Sequence, residues 1–180
     1  EECLESLFQL PTTNYQLQII VVDNGSSENF QFPISPSSIG ASNFKLIRNK
    51  TNLGFAEGNN VGIRYALENG ADYIMILNND TIVDKNLVNE LLEAMEKDNS
   101  IGIVGQKIYF YPGNEYHHDR YKKDERGKVI WYAGGIMDWG NVIGSHRGVD
   151  EVDHGQYEKG EPTDFVSGCA MLVKKEVFQK

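Results

Sequence analysis

Residues 73–77, Tyr-Ile-Met-Ile-Leu, make an apolar run that is too short for a helix, does not alternate, and stops in Asn78-Asn79-Asp80-Thr81. A run of this kind predicts a strand covered on both faces, because a half-exposed strand would alternate apolar with polar side chains. Such strands lie centrally in α/β sheets, whose ligands gather beyond the carboxyl ends of the strands. Asn78, Asn79 and Asp80 leave the run at that end. They mark a candidate edge for metal or phosphate chemistry.

Residues 18–22, Gln-Ile-Ile-Val-Val, read as a second buried strand, which ends in Asp23-Asn24-Gly25-Ser26-Ser27. Gly25 suits a sharp turn, and Asp23 at a strand's carboxyl edge can accept hydrogen bonds from a base or a ribose. Taken alone, the pentapeptide fits an Asx-turn that caps its own loop slightly better. Residues 49–60 form a Gly- and Asn-rich loop expected to feed a helix over 60–69 that Gly70 stops. Gly54 and Gly58 would let backbone approach a ligand, and a helix N-terminus behind them favours a diphosphate. The spacing fits neither a Walker A loop nor a dinucleotide fingerprint, and by itself such a loop is more often a connection.

The remaining segments complete the pattern. A helix over 1–9, a strand over 45–48, a helix capped by Asp84 with Leu87, Val88, Leu91, Leu92 and Met95 on one face, and a strand over 101–110 alternate with the runs above. That alternation predicts an α/β fold with a mostly parallel sheet and flanking helices. Residues 28–44, rich in Ser, Pro and Asn, read as a surface loop. After 113 the chain changes character: 114–128 are polar, with His117 and His118 as surface residues, and 129–147 read as a small antiparallel ribbon. Trp131, Tyr132 and Trp139 sit among glycines there, where packing against the body is the commoner use of aromatics and sugar stacking the rarer one. Residues 163–173 read as a strand kinked at Ser167-Gly168.

With 180 residues and 40% hydrophobic content the chain can bury the core of one domain. A net charge of −9 argues against nucleic acid as a partner, since Arg120, Lys122, Lys123, Arg126 and Lys128 are interrupted by Asp119, Asp124 and Glu125. Cys3 and Cys169 form no paired motif, which reads as a reducing compartment and leaves a disulfide between them open. No apolar run approaches the ~20 residues needed for a transmembrane helix. The sequence starts without Met inside a helical pattern and stops as another helix starts, so it reads as a portion of something longer, cut at both ends.

Four motifs carry a resemblance: Val-Val-Asp-Asn-Gly-Ser-Ser at 21–27, Asn-Leu-Gly-Phe-Ala-Glu-Gly-Asn-Asn at 52–60, Leu-Asn-Asn-Asp-Thr at 77–81 and Phe-Val-Ser-Gly-Cys-Ala-Met-Leu at 165–172. In this order the chain resembles the family 2 glycosyltransferases, in particular their rhamnosyltransferase-like branch with the GT-A fold, over nearly its whole length. The resemblance implies a nucleotide-sugar-binding α/β part over 1–110 and an acceptor-side part of the same domain over 111–180. It also implies transfer of a sugar from a nucleotide-diphosphate donor, such as dTDP-rhamnose or a UDP-sugar, to an acceptor hydroxyl of a glycan or lipid-linked acceptor. The implied mechanism is inverting and assisted by Mg²⁺ or Mn²⁺. The implied setting is polysaccharide assembly in the cytoplasm, at or near the inner membrane face.

Carried over by position, Asp23, Asn24, Gly25, Asn52, Gly54, Asn59, Asn78 and Asn79 would line the nucleotide sugar. Asn78 and Asp80 would hold the metal where the family carries Asp-x-Asp, which leaves one charged ligand. Trp131, Gly134, Gly135, Ser167 and Gly168 would face the acceptor. The catalytic base is expected beyond Lys180, with Asp164 and Asp138 the acidic candidates inside the chain, and the family's first strand is expected ahead of Glu1. This segment alone is therefore expected to bind donor weakly and to turn it over little. Two competing readings are a nucleotidyltransferase on a related sheet and a non-catalytic carbohydrate-binding domain with Trp131, Tyr132 and Trp139 as its platform. Metal-dependent nucleotide binding separates the last of these from the enzymes.

Overall fold

A computed structural model of the protein describes residues 2–27, 43–117 and 119–179. Most of the expected 28–44 loop, and His118, lie outside the described residues. Helix α1 (Glu2–Phe8) is followed by strands β1 (Ile19–Asp23) and β2 (Phe44–Arg48), helix α2 (Phe55–Glu68), strand β3 (Tyr73–Leu77) and helix α3 (Leu87–Glu96). Six short strands follow: β4 (Ile103–Val104), β5 (Ile108–Tyr109), β6 (Ile130–Tyr132), β7 (Gly135–Asp138), β8 (Ile143–His146) and β9 (Ala170–Lys174).

The fold is α/β, and the expectation of a mostly parallel sheet is corrected. β1 and β2 pair in parallel, from Ile19↔Phe44 to Asp23↔Arg48. The other strands assemble antiparallel: β9 lies between β3 and β4 and runs against both. β5 pairs with β6, and β7 with β8, again antiparallel. The physical reason is chain distance. The unit β3–α3–β4 brings its two strands round in the same direction, as helix-strand alternation dictates, yet the slot between them is filled by a strand from about a hundred residues further on. Local periodicity carries no trace of that partner.

β9 pairs with one edge of β3, from Tyr73↔Lys174 to Leu77↔Ala170. Only Ile74 of β3 is buried, and its other four residues are half-buried. The expected cover on both faces is thus incomplete among the described residues. Beneath this sheet, Leu91 and Met95 of α3 meet Leu172 of β9, with Tyr73, Met75, Leu87, Leu92, Ile101 and Val104 packed around them. The apolar face read from the sequence of α3 is the face that is buried. Asp84 accepts the Asn86 amide at 2.8 Å in a turn ahead of the helix, so it works as an Asx-turn and the helix begins after Asn86.

Helix α2 packs on both β1 and β3. It starts at Phe55, five residues before the expected 60, because Gly54 at φ 82° turns the chain sharply and nothing between 55 and 60 breaks a helix. Gly58 is therefore a helical residue. The strand expected over 101–110 is split into β4 and β5 around Gly105, where a Cβ would come within 2.5 Å of Val166 Cγ1. The segment leading to β9 crosses the chain there.

In the later part of the chain, Val129, Ile130 and Tyr132 are buried around β6. Buried Glu115 closes the polar stretch beside them by accepting the Gly113 and Gly127 amides at 2.9 and 3.0 Å. Of the ribbon expected over 129–147, only the later part pairs with itself, as β7 and β8, turning over 139–142 with Val142 at φ 56°; β6 pairs with β5 instead.

Candidate functional site

Two groups of polar residues stand at strand ends. The first is built on the parallel pair β1 and β2. Asp23 closes β1 in register with Arg48, whose Nε lies 3.6 Å from Asp23 Oδ2, while Oδ1 accepts the Ser26 amide at 2.9 Å. The hydrogen bonds of Ser26, with a smaller contribution from Arg48, hold the carboxyl below its usual range against the opposing effect of burial. Asp23 is thus a fixed anion with Oδ2 only loosely engaged.

Beside it, the loop over 49–54 folds back across the turn at Gly25. A Cβ on Gly25 would lie 2.4 Å from Asn52 N and from the Thr51 carbonyl carbon, at a φ of +84° that side chains disfavour. Gly25 is there for the crossing of two backbones. Asn24 reaches into the same loop: Nδ2 donates to Asn52 Oδ1 at 3.1 Å and to the Gly54 carbonyl at 3.0 Å. Its Oδ1 accepts Asn49 Nδ2 at 3.0 Å and the Leu53 amide at 3.1 Å. Asn52 Oδ1 also accepts the Gly54 amide at 2.8 Å. Asn59, in the second turn of α2, donates Nδ2 to the Phe55 carbonyl at 2.9 Å. Leu53 and Phe55 are left exposed at the rim, which gives this end an apolar lip that the reading of Asn and Gly residues missed. Arg48 was missed too, although its place at the end of a strand beside an acid-ended strand was a usable signal.

The second group is built on β3 and β9. The Asn78 amide donates to the Cys169 carbonyl at 2.8 Å, which joins 77–81 to the segment containing Ser167 and Gly168. Thr81 Oγ1 donates to the Asn78 carbonyl at 2.8 Å and closes the turn. Helix α1 buttresses it, with Cys3 Sγ 3.7 Å from the Asn78 carbonyl and Ser6 Oγ accepting the Val83 amide at 3.2 Å. Burial, and then the nearby Asp80 carboxylate, push the Cys169 thiol upward. Within the described residues no hydrogen bond or ion pair holds the side chains of Asn78, Asn79 or Asp80, and Asn79 and Asp80 are exposed.

Asp80 and Asn78 together offer one carboxylate and one amide oxygen. No group of three His, Cys, Asp or Glu residues able to hold a metal occurs among the described residues. Hard oxygen donors suit Mg²⁺ or Mn²⁺, but two of them make only part of a shell, and the other positions fall to water or to phosphate oxygens. The donor set therefore fits a cation that arrives with a diphosphate.

Of the residues expected on the acceptor side, Gly135 packs against Phe165, Gly134 against Arg147 and Trp131 against His146. A Cβ on Gly135 would fall within 2.5 Å of the Phe165 ring, and one on Gly134 would lie 2.8 Å from Arg147 Nη2. Tyr132 donates its hydroxyl to the Phe165 carbonyl at 2.6 Å and is buried, so it offers no stacking face. Trp131 packs edge-on against His146 at 4.5 Å, whereas Trp139 is 73% exposed at the ribbon's tip, so the three aromatics form no single platform. Buried Ser167 accepts the Cys169 amide at 3.2 Å, and Gly168 is exposed with open space beside it.

The acids inside the chain are engaged. Asp164 Oδ2 accepts the Met137 amide at 2.9 Å. Asp138 accepts from Gly140 and from the amide and side chain of Asn141, bonds that hold its carboxyl below the usual range.

Residues 1–180 match the family described as Glycosyl transferase family 2. Glycosyltransferase GlyG of Streptococcus pneumoniae is 25% identical over 181 residues, covering 99% of this chain and 53% of that protein. An uncharacterized glycosyltransferase of Haemophilus influenzae is 29% identical over 107 residues, 56% of this chain and 31% of its own length. The dTDP-rhamnosyl transferase RfbF of Shigella flexneri is 28% identical over 99 residues, 52% of this chain and 32% of its own length. The chain thus spans between 31% and 53% of the length of these curated relatives.

Proposed function

The chain belongs to glycosyl transferase family 2, and from that membership we propose that it forms the donor-binding part of an enzyme that moves a sugar from a nucleotide diphosphate to an acceptor hydroxyl. One observation carries the reading: Asp23, Asn78 and Asp80 all stand at strand carboxyl ends, Asp23 with its side chain 8% exposed beside Arg48 and the other two with side chains that no hydrogen bond or ion pair holds among the described residues. Asp23 Oδ2 takes the base or ribose, and the 49–54 loop with the first turn of α2 lines the nucleotide and diphosphate. Asn78 and Asp80 take the cation that accompanies the donor. When bound, Mg²⁺ or Mn²⁺ neutralises charge that builds on the departing diphosphate. The acceptor side is assigned to the surface at Trp131 and Gly168, beneath which Gly134, Gly135 and Ser167 are buried.

The donor is a dTDP-sugar or a UDP-sugar. Likeness to a protein named as a dTDP-rhamnosyl transferase supports the first. The acceptor is a glycan or lipid-linked hydroxyl, attacked with inversion. Asp138 has both oxygens bonded and Asp164 one, so neither is proposed as the base that deprotonates the acceptor. No helix among the described residues is long and apolar enough to cross a membrane.

The test is calorimetric binding of UDP and of dTDP, each with and without Mn²⁺, to the chain and to its Asp80→Ala variant. Binding that needs Mn²⁺ and disappears in the variant is the expected result. Binding indifferent to both would leave 78–80 as a strand end without a role in donor capture.

A further inference from the structure

The residue that follows the Asp23 anion is engaged in every direction by protein. An Asn side chain has two N–H donors and two acceptor lone pairs, and Asn24 uses all four, on Asn52, Gly54, Asn49 and Leu53. All four partners belong to one loop. Two of them fix the orientation of the amide, because the Gly54 carbonyl can only accept and the Leu53 N–H can only donate. A further backbone bond ties the loop to the same strand end, from the Asn49 amide to the Asp23 carbonyl at 2.9 Å. The surroundings are shaped to the side chain as well: a Cβ on Gly58 would lie 2.8 Å from Asn24 Nδ2.

The loop so held ends in Gly54, the residue from which α2 starts. One amide thereby fixes the start of a helix against the end of a strand. We propose that Asn24 is a positioning residue of the donor site: it does not touch the nucleotide but locks 49–54 and the first turn of α2 in place beside Asp23. The proposal rests on the donor-site reading given above. It assigns Asn24 to the wall of the site and leaves Asp23 as its contact with ligand. A nucleotide then meets a preformed surface, and no binding energy goes into ordering six loop residues.

The chemistry predicts an asymmetry between two similar substitutions. Asn24→Asp keeps the shape but has no N–H, so it sets oxygen against oxygen at both Asn52 Oδ1 and the Gly54 carbonyl. Asn52→Asp keeps the one atom the lock uses, an oxygen that accepts from Asn24 and from Gly54. The lock therefore tolerates a carboxylate at 52 and fails with one at 24.

Two measurements at 15 °C, with folding checked by circular dichroism, test the proposal. Amide hydrogen exchange at Leu53 and Gly54 is expected to speed at least tenfold in Asn24→Asp and to stay near wild type in Asn52→Asp. UDP and dTDP affinity with Mn²⁺ is expected to fall at least tenfold in Asn24→Asp although its folded fraction is unchanged. If Asn24→Asp is not folded at that temperature, Asn49→Ala, which removes a single strut, carries the same two readouts with a smaller expected loss. Wild-type affinity in Asn24→Asp, or in that substitute, alongside weakened binding in Asp23→Asn overturns the role of Asn24 and leaves the donor site standing. Failure of the unaltered chain to bind either nucleotide overturns the donor site, and this role with it.

Discussion

The carboxylate of Asp23 accepts the Ser26 amide and faces Arg48, so the contacts that lower its pKa also fix its orientation. Asp23→Asn keeps the shape and removes the charge; affinity for UDP or dTDP is expected to fall about tenfold, the value of one charge-assisted hydrogen bond, as titration calorimetry reads it. A different acid carries a pH-dependent part of the stability. Burial alone would raise Asp153, but Lys107 at 2.6 Å, the Tyr109 hydroxyl and the Gly155 amide outweigh it and bring the carboxyl down to about 2. A folded pKa below the unfolded value of about 3.9 stabilises above that value, and the contribution disappears as pH falls through the folded one. Urea unfolding is therefore expected to show a loss on the order of 2 kcal/mol between about pH 4 and pH 2, and Asp153→Asn to start lower by that amount at pH 7 and to lose less in acid. That ion pair ties the 150–160 stretch to β5, away from the strand ends, so nucleotide affinity near neutral pH is expected to change little in the variant.

Among the elements, the turn after β1 and the helix α1 decide how well the strand ends are held. Gly25 and Gly54 have nearly the same positive φ, yet only Gly25 lies under another backbone. Gly54→Ala is expected to cost about 1 kcal/mol in backbone strain. Gly25→Ala is expected to cost more than about 3 kcal/mol, because two chains must separate as well. Equilibrium denaturation of the two variants checks the difference, and equal losses would mean that the loop over 49–54 yields freely. Ser6→Ala removes the acceptor for the Val83 amide and is expected to cost about 1 kcal/mol and to speed exchange at that amide. These elements were only partly legible in sequence. The apolar stripe of α3 was legible because burial repeats with the helical period, although Asp84 placed the start of the helix too early, and the unbroken apolar run gave the bounds of β3. The start of α2 was placed too late, since Asn59 and Asn60 read as loop residues while the side chain of Asn59 in fact bonds back to its own helix at Phe55. The glycines of 134–135 read as a ligand surface, and the partners that require them, Arg147 and Phe165, are distant in sequence.

For the whole molecule, ligand and fold are linked. A nucleotide that binds only the folded chain, at one hundred times its dissociation constant, stabilises it by about 2.7 kcal/mol, a shift of about 5–10 °C in Tm for a chain of this size. With UDP or dTDP and Mn²⁺ that shift is expected in the unaltered chain and is expected to vanish in Asp80→Ala; a thermal scan reads both. Removing the fully buried Met95 side chain by Met95→Ala is expected to cost 2–5 kcal/mol, roughly, through the cavity left under β9. The sequence by itself determined the local grammar of this protein: that the runs at 18–22 and 73–77 are strands, which stripe of α3 is buried, that Asp23 and Asn78-Asn79-Asp80 stand at strand ends, and the family to which those motifs belong. Those properties depend on residues close along the chain, where periodicity and turn chemistry act directly. Only the tertiary structure decided that β9 enters reversed between β3 and β4, that Tyr132 is buried while Trp139 is exposed, and that Asn24 is saturated by four partners 25 to 30 residues away. Each of these turns on which distant segment meets a given side chain, a choice made by packing and hydrogen-bond geometry that no local pattern encodes.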